Sequence, residues 1–545
     1  MGTGITGGSP EVEDAERSFV RGDLEWGTTA KLIRAAAATW GDHPAIVQGD
    51  VTLSYAELRS RVDEAAKAFI AAGIELGDRV AIWAPNIWEW PIVLLGLQSA
   101  GAVLVPLNTR YKGTEAAYIL GASRARILFT VEGFLGNDYV SMLRGSGSEL
   151  GHLERIVLLR GDAVDGTTSF ADFLSLAAEI GDLELDGRVD SIGPDDLSDL
   201  LFTSGTTGAP KGVMCTHGQT VRAAADWGSV AGLRSDDRYL VINPFFHSFG
   251  YKAGIIACLC AGATIYPEAV FDVPAAMASI EQHRITTIPG PPTLYLSIMG
   301  HPDFDPSRLS SLRLAVTGAA SVPVQLVRDM SDVLGFETVL TAYGLTEATG
   351  FVSACRPGDD PETIAHYSGR AYPGVEIEIH DEGGNALPPD MPGEVVVRGY
   401  NVMQGYFEDP EKTAETIDAE GWLHTGDIGV LDARGYVKIT DRLKDMFIVG
   451  GFNAYPAEIE SLLMGHPAIA QVAVVGVPDR RQGEVGVAFV ILRPGVDVGA
   501  DDITSWARRN MANYKAPAAV HIVDAFPLNA SGKVLKYELR DRVSR

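Results

Sequence analysis

The segment from Phe202 to Val213 carries the residue types best suited to binding a charged ligand. Hydroxyls, glycines and one lysine follow an apolar run from Leu197 to Phe202. Glycines let the backbone approach a phosphate, hydroxyl and amide groups donate to its oxygens, and lysine adds positive charge. The spacing is not that of a Walker A loop. The composition predicts a polyphosphate-binding loop of another kind, and a plain Ser/Thr/Gly surface loop is the alternative.

Two further segments end in a lone carboxylate. Glu347 closes the run Tyr343–Glu347 after a β-rich stretch, where it could bind Mg²⁺ beside a triphosphate while Tyr343 stacks on a purine. A helix cap is the alternative for Glu347. Asp427 is predicted in a turn before a strand, where a carboxylate could accept both hydroxyls of a ribose. An Asx-turn is the alternative for Asp427.

Two charged segments lie near the C-terminus. The cluster Asp441–Asp445 is either a hinge between domains or a solvated linker. Gly450 and Gly451 follow it and would allow close approach of a ligand or another chain segment. Lys533 ends the loop that begins at Asn529, so it is either a point charge that reaches an active site or a solvated lysine.

The aromatic segment from Pro244 to Lys252 resembles the wall of a pocket for a bulky apolar substrate. Core packing is the alternative, in which His247 would be a hydrogen-bonded core histidine. For Phe245 and Phe246, core packing is the favoured interpretation. Lys252 is unusual in an apolar run. It either contacts a polar group of the substrate or extends its ammonium group toward solvent.

The elements that must position these residues alternate between helix and strand. Ser54 and Glu57 form a predicted capping box for a helix that runs to Gly73. The alternation continues with strands 79–84, 102–107, 126–130, 313–316 and 338–341 and helices 87–100, 114–120 and 322–334. This rhythm predicts βαβ units with mostly parallel sheets, whose ligands gather at the carboxyl ends of the strands.

The sequence pattern changes between about residues 369 and 438, where short strands with alternating polar and apolar residues are separated by Gly, Pro and Asp. They predict a small antiparallel sheet or barrel. Beyond Asp441, strands near 470–477 and 485–492 and helices from 456 and over 500–513 predict an α+β domain of about a hundred residues. The predicted class is thus α/β: a large N-terminal domain of two parallel-rich subdomains plus the small barrel, and a smaller mobile C-terminal domain.

Composition limits the class of partner. The chain has 545 residues, 46% of them apolar, and a formal net charge of −27. Such a length predicts more than one domain, and the charge disfavours nucleic acid as a partner. The chain contains no uncharged apolar run long enough to predict a membrane span. Residues 1–10 do not resemble an export signal. The four cysteines suggest buried free thiols, so a cytoplasmic location is expected.

Together, and in this order, the segments resemble the adenylate-forming superfamily of acyl-CoA synthetases, carrier-protein adenylation domains and beetle luciferase. The resemblance rests on residues 202–213, His247, 317–320, 341–347, 425–427, 441–445 and 529–533. The N-terminal sequence itself predicts a disordered leader over residues 1–25. The resemblance implies an AMP-binding domain over 26–440, a hinge at 441–444 and a mobile domain over 445–545. It also implies ATP, Mg²⁺ and coenzyme A as ligands, and it allows a homodimer.

The resemblance also implies roles for individual residues. The β- and γ-phosphates would bind Thr203, Ser204, Gly205, Thr206, Thr207, Gly208, Ala209, Pro210 and Lys211. Adenine would contact Gly318, Ala319, Ala320 and Tyr343, while the ribose would contact Asp427 and Arg442. Thr346 would touch the α-phosphate, Glu347 would bind Mg²⁺, and Lys533 would stabilise charge at the α-phosphate. Lys444 would be the hinge residue, Gly450 and Gly451 would line the CoA tunnel, and His247 would separate the acyl and nucleotide sites.

The implied reaction has two halves. A carboxylate forms an acyl-adenylate with MgATP, and a thiol then takes the acyl group. The chain ends twelve residues after Lys533, so free CoA is the expected acceptor. A stand-alone ligase that loads a carrier protein is the alternative, and so is a catalytically inactive relative that acts as a sensor. The lysines that coumarate ligases and luciferases carry after the hinge are absent at Ile448–Gly450, and Asn453 replaces their glutamine, which argues against those activities.

The acid is predicted from three segments, 243–255, 290–295 and 341–350. They resemble actinobacterial ligases that activate a bicyclic indanedione propanoate during steroid degradation. An aromatic pocket formed by Phe249 and Tyr251, with Lys252 as a buried donor, would suit a fused ring system with two keto groups. A medium-chain fatty acid, which would place the enzyme in fatty acid metabolism, and an arylpropionate are the alternatives.

Overall fold

A computed structural model describes the chain over residues 27–162, 164–203, 210–318, 322–442, 445–449, 452–454, 456–479, 481–511, 514–528 and 534–543. The chain divides into two compact units. The first comprises Met1–Glu376 and Val397–Leu423, and the second comprises Ile377–Val396 and His424–Arg545. Each unit is described separately below.

The strands in chain order are β1 Pro44–Gln48, β2 Val51–Ser54, β3 Arg79–Trp83, β4 Val103–Pro106, β5 Ile127–Val131, β6 Arg155–Arg160, β7 Thr168–Ser169, β8 Leu197–Thr203, β9 Lys211–Thr216, β10 Arg238–Val241, β11 Thr264–Pro267, β12 Leu314–Gly318, β13 Thr338–Tyr343, β14 Ser353–Ala354, β15 Arg370–Ala371, β16 Val375–His380, β17 Gly393–Gly399, β18 Gly405–Tyr406, β19 Leu423–Leu431, β20 Val437–Arg442, β21 Phe447–Val449, β22 Phe452–Ala454, β23 Ile469–Asp479, β24 Gly483–Leu492 and β25 Ala519–Ile522.

The α-helices are α1 Thr29–Trp40, α2 Tyr55–Ala71, α3 Glu89–Ser99, α4 Gly113–Ser123, α5 Tyr139–Arg144, α6 Phe170–Ser175, α7 Asp182–Ser191, α8 His217–Ala231, α9 Ser248–Gly250, α10 Ala257–Ala261, α11 Val273–His283, α12 Pro292–Met299, α13 Val324–Asp332, α14 Pro361–His366, α15 Pro410–Thr416, α16 Pro456–Met464, α17 Ala500–Asn510 and α18 Lys536–Val543. Short 3₁₀ turns lie at Phe134–Gly136, Leu176–Glu179, Pro306–Leu309 and Thr346–Ala348, and a π-helical turn spans Tyr251–Ile256. None of the helices in the described ranges is long and apolar enough to span a bilayer.

The capping box predicted at Ser54 is confirmed. The Ser54 hydroxyl accepts from the backbone N–H of Glu57, and the Glu57 carboxylate accepts from the backbone N–H of Ser54. Two of the donors that a helix leaves unsatisfied at its first turn are thereby paired, which fixes the start of α2. Helix α8 begins in the same way, with Thr216 and Gln219 as the reciprocal pair. That start lies at the end of β9, so it also fixes how the chain leaves this strand.

The largest sheet of the first unit has eight strands in the order β18-β9-β8-β4-β3-β5-β6-β7. The pairings β8·β4, β4·β3, β3·β5 and β5·β6 are parallel, as the βαβ rhythm predicts. The β8·β9 and β9·β18 pairings are antiparallel. Helix α3 is buried along its whole length, which explains why its sequence is almost entirely apolar.

Two four-stranded sheets complete the first unit, with orders β10-β11-β1-β2 and β12-β13-β14-β15. Isolated bridges from Thr287 to Tyr239 and to Leu314 connect strand β10 with strand β12. The parallel β12·β13 pairing brings the carboxyl ends of these two strands together. Ligands of open α/β sheets bind at this kind of edge.

The second unit contains most of a four-stranded sheet, order β16-β17-β19-β20, and a five-stranded sheet. In the five-stranded sheet the order is β22-β21-β24-β23, with β25 paired to β24. A core that includes Phe447, Leu463 and Val490 lies against this sheet. These elements confirm the predicted α/β class with a smaller α+β segment after a short antiparallel one.

Most predicted elements exist, but their ends differ by a few residues. Helix α2 ends at Ala71 rather than Gly73, and α17 ends at Asn510 rather than at residue 513. The predicted turn at Asp427 is wrong, because this residue lies within strand β19. Gly426 takes a positive φ of 67° inside the strand, and the register shifts between Ile428 and Gly429. The turn-like sequence therefore corresponds to an irregularity within a strand, because pairing across the sheet keeps this segment in the strand.

Candidate functional site

The predicted phosphate loop connects two paired strands. Thr203 ends β8, Lys211 begins β9, and these two residues are direct cross-strand partners. Pro210 precedes Lys211, and its carbonyl accepts a hydrogen bond from the Tyr118 hydroxyl at 3.2 Å. The residues between, 204–209, lie outside the described part of the chain. Both ends of the loop are thus held by the sheet, and the lysine is placed at its second end.

The predicted adenine and metal residues follow the carboxyl ends of β12 and β13. Gly318 is paired with Ala342, and Tyr343 is the next residue. Thr346 and Glu347 lie in the 3₁₀ turn Thr346–Ala348, a few residues beyond this edge. Ala319 and Ala320, which were predicted to contact adenine, lie outside the described residues. The edge therefore brings together Gly318, Tyr343, Thr346 and Glu347.

His247 lies beside this edge. It precedes the single turn Ser248–Gly250, and its Nδ1 accepts from the backbone N–H of Phe249 at 3.2 Å. Gly350 has a φ of 98°, and a Cβ built there would lie 3.0 Å from the Ser248 side chain. The turn after His247 thus packs closely on the segment that carries Glu347. The imidazole is exposed, in contrast to the core histidine that was one interpretation of the sequence.

The aromatic segment divides between core and candidate pocket. Phe245 is fully buried, as predicted, and Phe246 is half-buried. The half-buried Phe249 lies edge-on to Trp227, with ring centroids 6.0 Å apart. Tyr251 is fully buried, and its hydroxyl accepts a hydrogen bond from Nε2 of Gln98 at 3.0 Å.

Lys252 is buried too, and its Nζ lies 3.2 Å from Oδ1 of Asp199. Burial alone would lower the pKa of this ammonium group, but the Asp199 carboxylate and the Cys215 thiol raise it overall. The lysine therefore stays charged and has a partner inside the protein. Sequence analysis does not identify Asp199, because it lies 53 residues before Lys252 and no local pattern connects the two residues.

Tyr406 is a second residue that sequence analysis missed. Its hydroxyl donates to Oε1 of Glu347 at 3.1 Å, and Nζ of Lys211 lies over its ring, 5.2 Å from the centroid. Burial, together with Glu347, raises the pKa of this hydroxyl, so it remains a donor. Tyr406 thereby links two predicted ligand-binding residues. A tyrosine after a glycine has no sequence feature that distinguishes it from a core tyrosine.

In the second unit, Asp427 and Arg442 are cross-strand partners in the β19·β20 pairing. The two residues predicted to hold a ribose are therefore neighbours in one sheet. Asp427 is 4% exposed. Glu394 supports the segment just before it, because its carboxylate accepts from the Gly426 N–H at 3.0 Å and contacts Nδ1 of His424 at 2.9 Å. Lys444, Gly450, Gly451 and Lys533 lie outside the described residues.

The donor set around Glu347 fits a magnesium ion. Glu347 is a single half-buried carboxylate, and one of its two oxygens accepts from Tyr406. No group of three or more His, Cys, Asp or Glu side chains suited to a metal was found among the residues that the structure describes. Mg²⁺ is commonly held by one or two carboxylates with the remaining positions taken by substrate phosphates and water. Glu347, which Tyr406 connects to Lys211 at the end of the predicted phosphate loop, matches that pattern.

Family models match most of the chain. The AMP-binding enzyme model matches residues 33–407, and the AMP-binding enzyme C-terminal domain model matches residues 458–533. Among curated proteins, the methyl-dioxo-octahydroindenyl-propanoyl:CoA ligase of Rhodococcus jostii (strain RHA1) is 50% identical over 517 residues, 94% of this chain and 98% of that protein. The ligase of the same name from Mycobacterium tuberculosis is 50% identical over 504 residues, 92% of this chain and 96% of that protein.

Solved structures agree with this assignment. ATP-bound MatB from Rhodopseudomonas palustris has a TM-score of 0.84 at 30% identity and covers 94% of this chain and 99% of its own. The anthranilate CoA ligase AuaEII in complex with anthranoyl-AMP has a TM-score of 0.85 at 28% identity and covers 95% and 98%. The chain therefore belongs to the AMP-binding enzyme family and is an AMP-forming acyl-CoA ligase.

Proposed function

We propose that this ligase activates a bicyclic diketone propanoate of the kind released in steroid degradation, using MgATP and free coenzyme A. The observation that carries the proposal is the 50% identity over 94% of the chain to a ligase named for that acid. The aromatic pair Trp227–Phe249 next to the His247 turn supports it, because a fused ring system needs a wide apolar wall.

In the first half-reaction, a carboxylate oxygen of the acid bonds to the α-phosphorus of ATP. The bond from this phosphorus to the bridging oxygen breaks, and pyrophosphate leaves with that electron pair. Two anions must meet, so neutralising charge and correct positioning dominate the rate. Lys211 would neutralise the β- and γ-phosphates and Lys533 the α-phosphate, while Thr346 would donate to an α-phosphate oxygen.

Glu347 would hold Mg²⁺, which when bound supplies positive charge against the phosphate oxygens. Asp427 and Arg442 would bind the ribose, and Tyr343 with residues 318–320 would bind adenine. His247 would stand between the acyl and nucleotide sites. Phe249, Tyr251 and Lys252 are the proposed acyl-pocket residues. The ion pair of Lys252 with Asp199 means that any contact of this ammonium with a substrate keto group would be shared with a carboxylate.

In the second half-reaction, the sulfur of coenzyme A bonds to the acyl carbon, and the bond from this carbon to the phosphate oxygen breaks. AMP leaves with that electron pair, and the thiol proton goes to solvent. Lys444 would be the hinge about which the C-terminal domain turns between the two steps. Gly450 and Gly451 would line the tunnel for the pantetheine arm, since glycines let it pass close to the backbone.

The test is mass-spectrometric detection of products after incubation with MgATP, CoA and a panel of acids. The panel contains the methyl-dioxo-octahydroindenyl propanoate, straight fatty acids of several lengths and arylpropionates. The expected result is a thioester, AMP and pyrophosphate from the bicyclic acid, with a kcat/KM at least ten times that for any other acid. A reaction without CoA should give pyrophosphate and the enzyme-bound adenylate alone.

Other outcomes would change the proposal in defined ways. A preference for medium-chain fatty acids or arylpropionates would keep the reaction and replace the substrate. An adenylate that forms but is never transferred to CoA would point to a carrier protein as the acceptor. No product with any acid, despite AMP binding, would indicate a nucleotide-binding protein without catalytic activity.

A further inference from the structure

Tyr406 lies between two side chains of opposite charge in the candidate nucleotide site. Its hydroxyl contacts Oε1 of Glu347 at 3.1 Å, and its ring has Nζ of Lys211 5.2 Å from the centroid. A cation within about 6 Å of an aromatic centroid is attracted to the ring face. The same side chain therefore binds the predicted metal ligand through its hydroxyl and the predicted phosphate ligand through its ring.

The backbone fixes this arrangement on both sides. Tyr406 pairs with Val213 across the antiparallel β18·β9 ladder, two residues after Lys211 on the same strand. The backbone N–H of Met403 donates to the carbonyl oxygen of Glu347 at 2.9 Å. The segment 403–406 is thus tied to β9 and to the turn of Glu347 by main-chain bonds. Tyr406 itself is 8% exposed, so it has little freedom to leave.

Lys211 and Glu347 carry opposite charges and contact the same side chain, so without Tyr406 they would be free to pair. Opposite charges in contact attract more strongly near a protein than in bulk water, because the effective dielectric is lower there. Within the described part of the chain, Lys211 and Glu347 both contact Tyr406 and no ion pair joins them. A direct pair would neutralise the two charges that MgATP needs, and binding would then have to break it.

We propose that Tyr406 is a positioning residue that keeps Lys211 and Glu347 apart, so that the ammonium stays available to phosphate and the carboxylate to the metal. The proposal rests on the proposed function, because it takes Lys211 and Glu347 as the nucleotide and metal ligands. The hydroxyl orients the carboxylate, since it donates to one of the two carboxylate oxygens. The ring contacts the ammonium at its face, while the hydroxyl contacts the carboxylate.

The first test concerns the hydroxyl. Mn²⁺ binding to the complete enzyme with a non-hydrolysable ATP analogue is measured by electron paramagnetic resonance for wild type, Tyr406→Phe and the control Tyr139→Phe. The control removes another tyrosine hydroxyl, which bonds to the Thr109 carbonyl at 2.8 Å away from Glu347. Tyr406→Phe should weaken Mn²⁺ binding roughly ten-fold, as loss of a hydrogen bond to a charged group does. Tyr139→Phe should leave it unchanged.

The second test concerns the ring, and it needs no metal. Calorimetry in EDTA gives the affinity for the ATP analogue in wild type, Tyr406→Leu, Glu347→Gln and the double variant. Tyr406→Leu should weaken binding several-fold, because Lys211 then pairs with Glu347. In the Glu347→Gln background, Tyr406→Leu should have almost no effect, because Lys211 has no carboxylate to pair with. This cancellation distinguishes separation of charge from general damage.

The outcomes also separate this proposal from the proposed function. Wild-type enzyme that makes acyl-CoA, together with unchanged Mn²⁺ affinity in Tyr406→Phe, would overturn the role of the hydroxyl. Equal loss of analogue affinity from Tyr406→Leu in both backgrounds would overturn the role of the ring. Wild-type enzyme that binds no nucleotide would instead refute the nucleotide site itself. Melting temperatures check that each variant is folded, and the ring test remains decisive if Tyr406→Phe fails to fold.

Discussion

The ammonium group of Lys252 and the carboxylate of Asp199 form an ion pair that is almost entirely removed from solvent, with 1% and 0% of the side chains exposed. The other oxygen of Asp199 accepts from the hydroxyls of Ser198 at 2.6 Å and Thr220 at 3.0 Å. Asp199 lies on β8, the strand that leads into the predicted phosphate loop, and Lys252 lies on the π-helical turn after His247. The pair thus connects the candidate pocket wall to the strand before the predicted phosphate loop.

Removing the lysine should therefore cost stability. Lys252→Met leaves the Asp199 carboxylate buried without its cation, which typically costs about 3–5 kcal/mol in the free energy of unfolding. Urea unfolding measures this loss. Arg308→Met is the matched control, because it breaks a pair with Glu281 in which both side chains are nearly half exposed, and it should cost about 1 kcal/mol or less. Adding Asp199→Asn to Lys252→Met should recover part of the loss.

The same variant tests the substrate contact predicted for Lys252. Rates with the bicyclic diketone acid and with a fatty acid of similar size are compared at a temperature at which Lys252→Met is folded. A greater loss for the diketone acid would support a contact with a keto group. Equal losses for both acids would make Lys252 a structural residue only.

His217 should make the protein less stable as the pH falls. It is buried, with Nδ1 2.9 Å from the Thr29 hydroxyl, and burial lowers its pKa from 6.5 to about 4 despite Asp199 and Asp196. Between these values the unfolded chain binds a proton that the folded chain does not, so stability decreases from pH 6.5 toward pH 4 and then levels off. A shift of this size corresponds to about 3 kcal/mol.

Melting temperatures at pH 7.5 and pH 5 test this prediction. Between pH 7.5 and pH 5, the melting temperature of the wild type should fall further than that of His217→Gln, whose side chain does not titrate. Identical pH dependence in both proteins would show that other groups cause the acid sensitivity.

Lys533→Ala should separate the two half-reactions. If Lys533 stabilises charge at the α-phosphate, adenylate formation should fall by a factor of about 100 or more, as expected on losing a preorganised electrostatic contact. Thioester formation from supplied acyl-adenylate should stay within a few-fold of wild type. Pyrophosphate release and single-turnover transfer to CoA measure the two steps. Equal losses in both steps would remove this role from Lys533.

Lys444→Pro should have the opposite profile. Proline fixes φ near −65°, so it would restrict a hinge residue that must change its backbone angles. Adenylate formation should persist, while transfer to CoA slows by an order of magnitude or more. Lys438→Ala, a change in strand β20 six residues earlier, serves as a nearby control. CoA-dependent turnover that is unchanged in Lys444→Pro would refute the hinge at 441–444.

Local signals were enough to predict much of the fold. The capping box at Ser54, the apolar run of α3 and the alternation of helices and strands each depend on residues close together in the chain. The order of strands in the eight-stranded sheet was beyond prediction, because it depends on pairings between distant segments. Asp427 shows the same limit of local prediction, because Gly426 predicts a turn but pairing with the neighbouring strand places the segment in β19.

The candidate site shows the same division. Glu347 and Lys211 were identified because each lies in a segment with a distinctive composition. Tyr406 and Asp199 were missed because their roles depend on contacts with residues that are distant in the sequence. Tyr406 contacts Glu347 across 59 residues of sequence, and Asp199 meets a lysine that the sequence offered as a substrate contact. A single sequence records which residues are present, but it does not record which of them meet.

The pairing of Thr203 with Lys211 also limits how the predicted phosphate loop can evolve. An insertion that moved β9 by one position along β8 would turn each of its side chains to the opposite face of the sheet. Lys211 would then point away from Tyr406, and Val213 would lose its place beside β18. The register of the two strands thus constrains the length of the loop, independently of the phosphate contacts predicted for its residues. Lineages that share this hairpin should therefore keep the length of the loop constant.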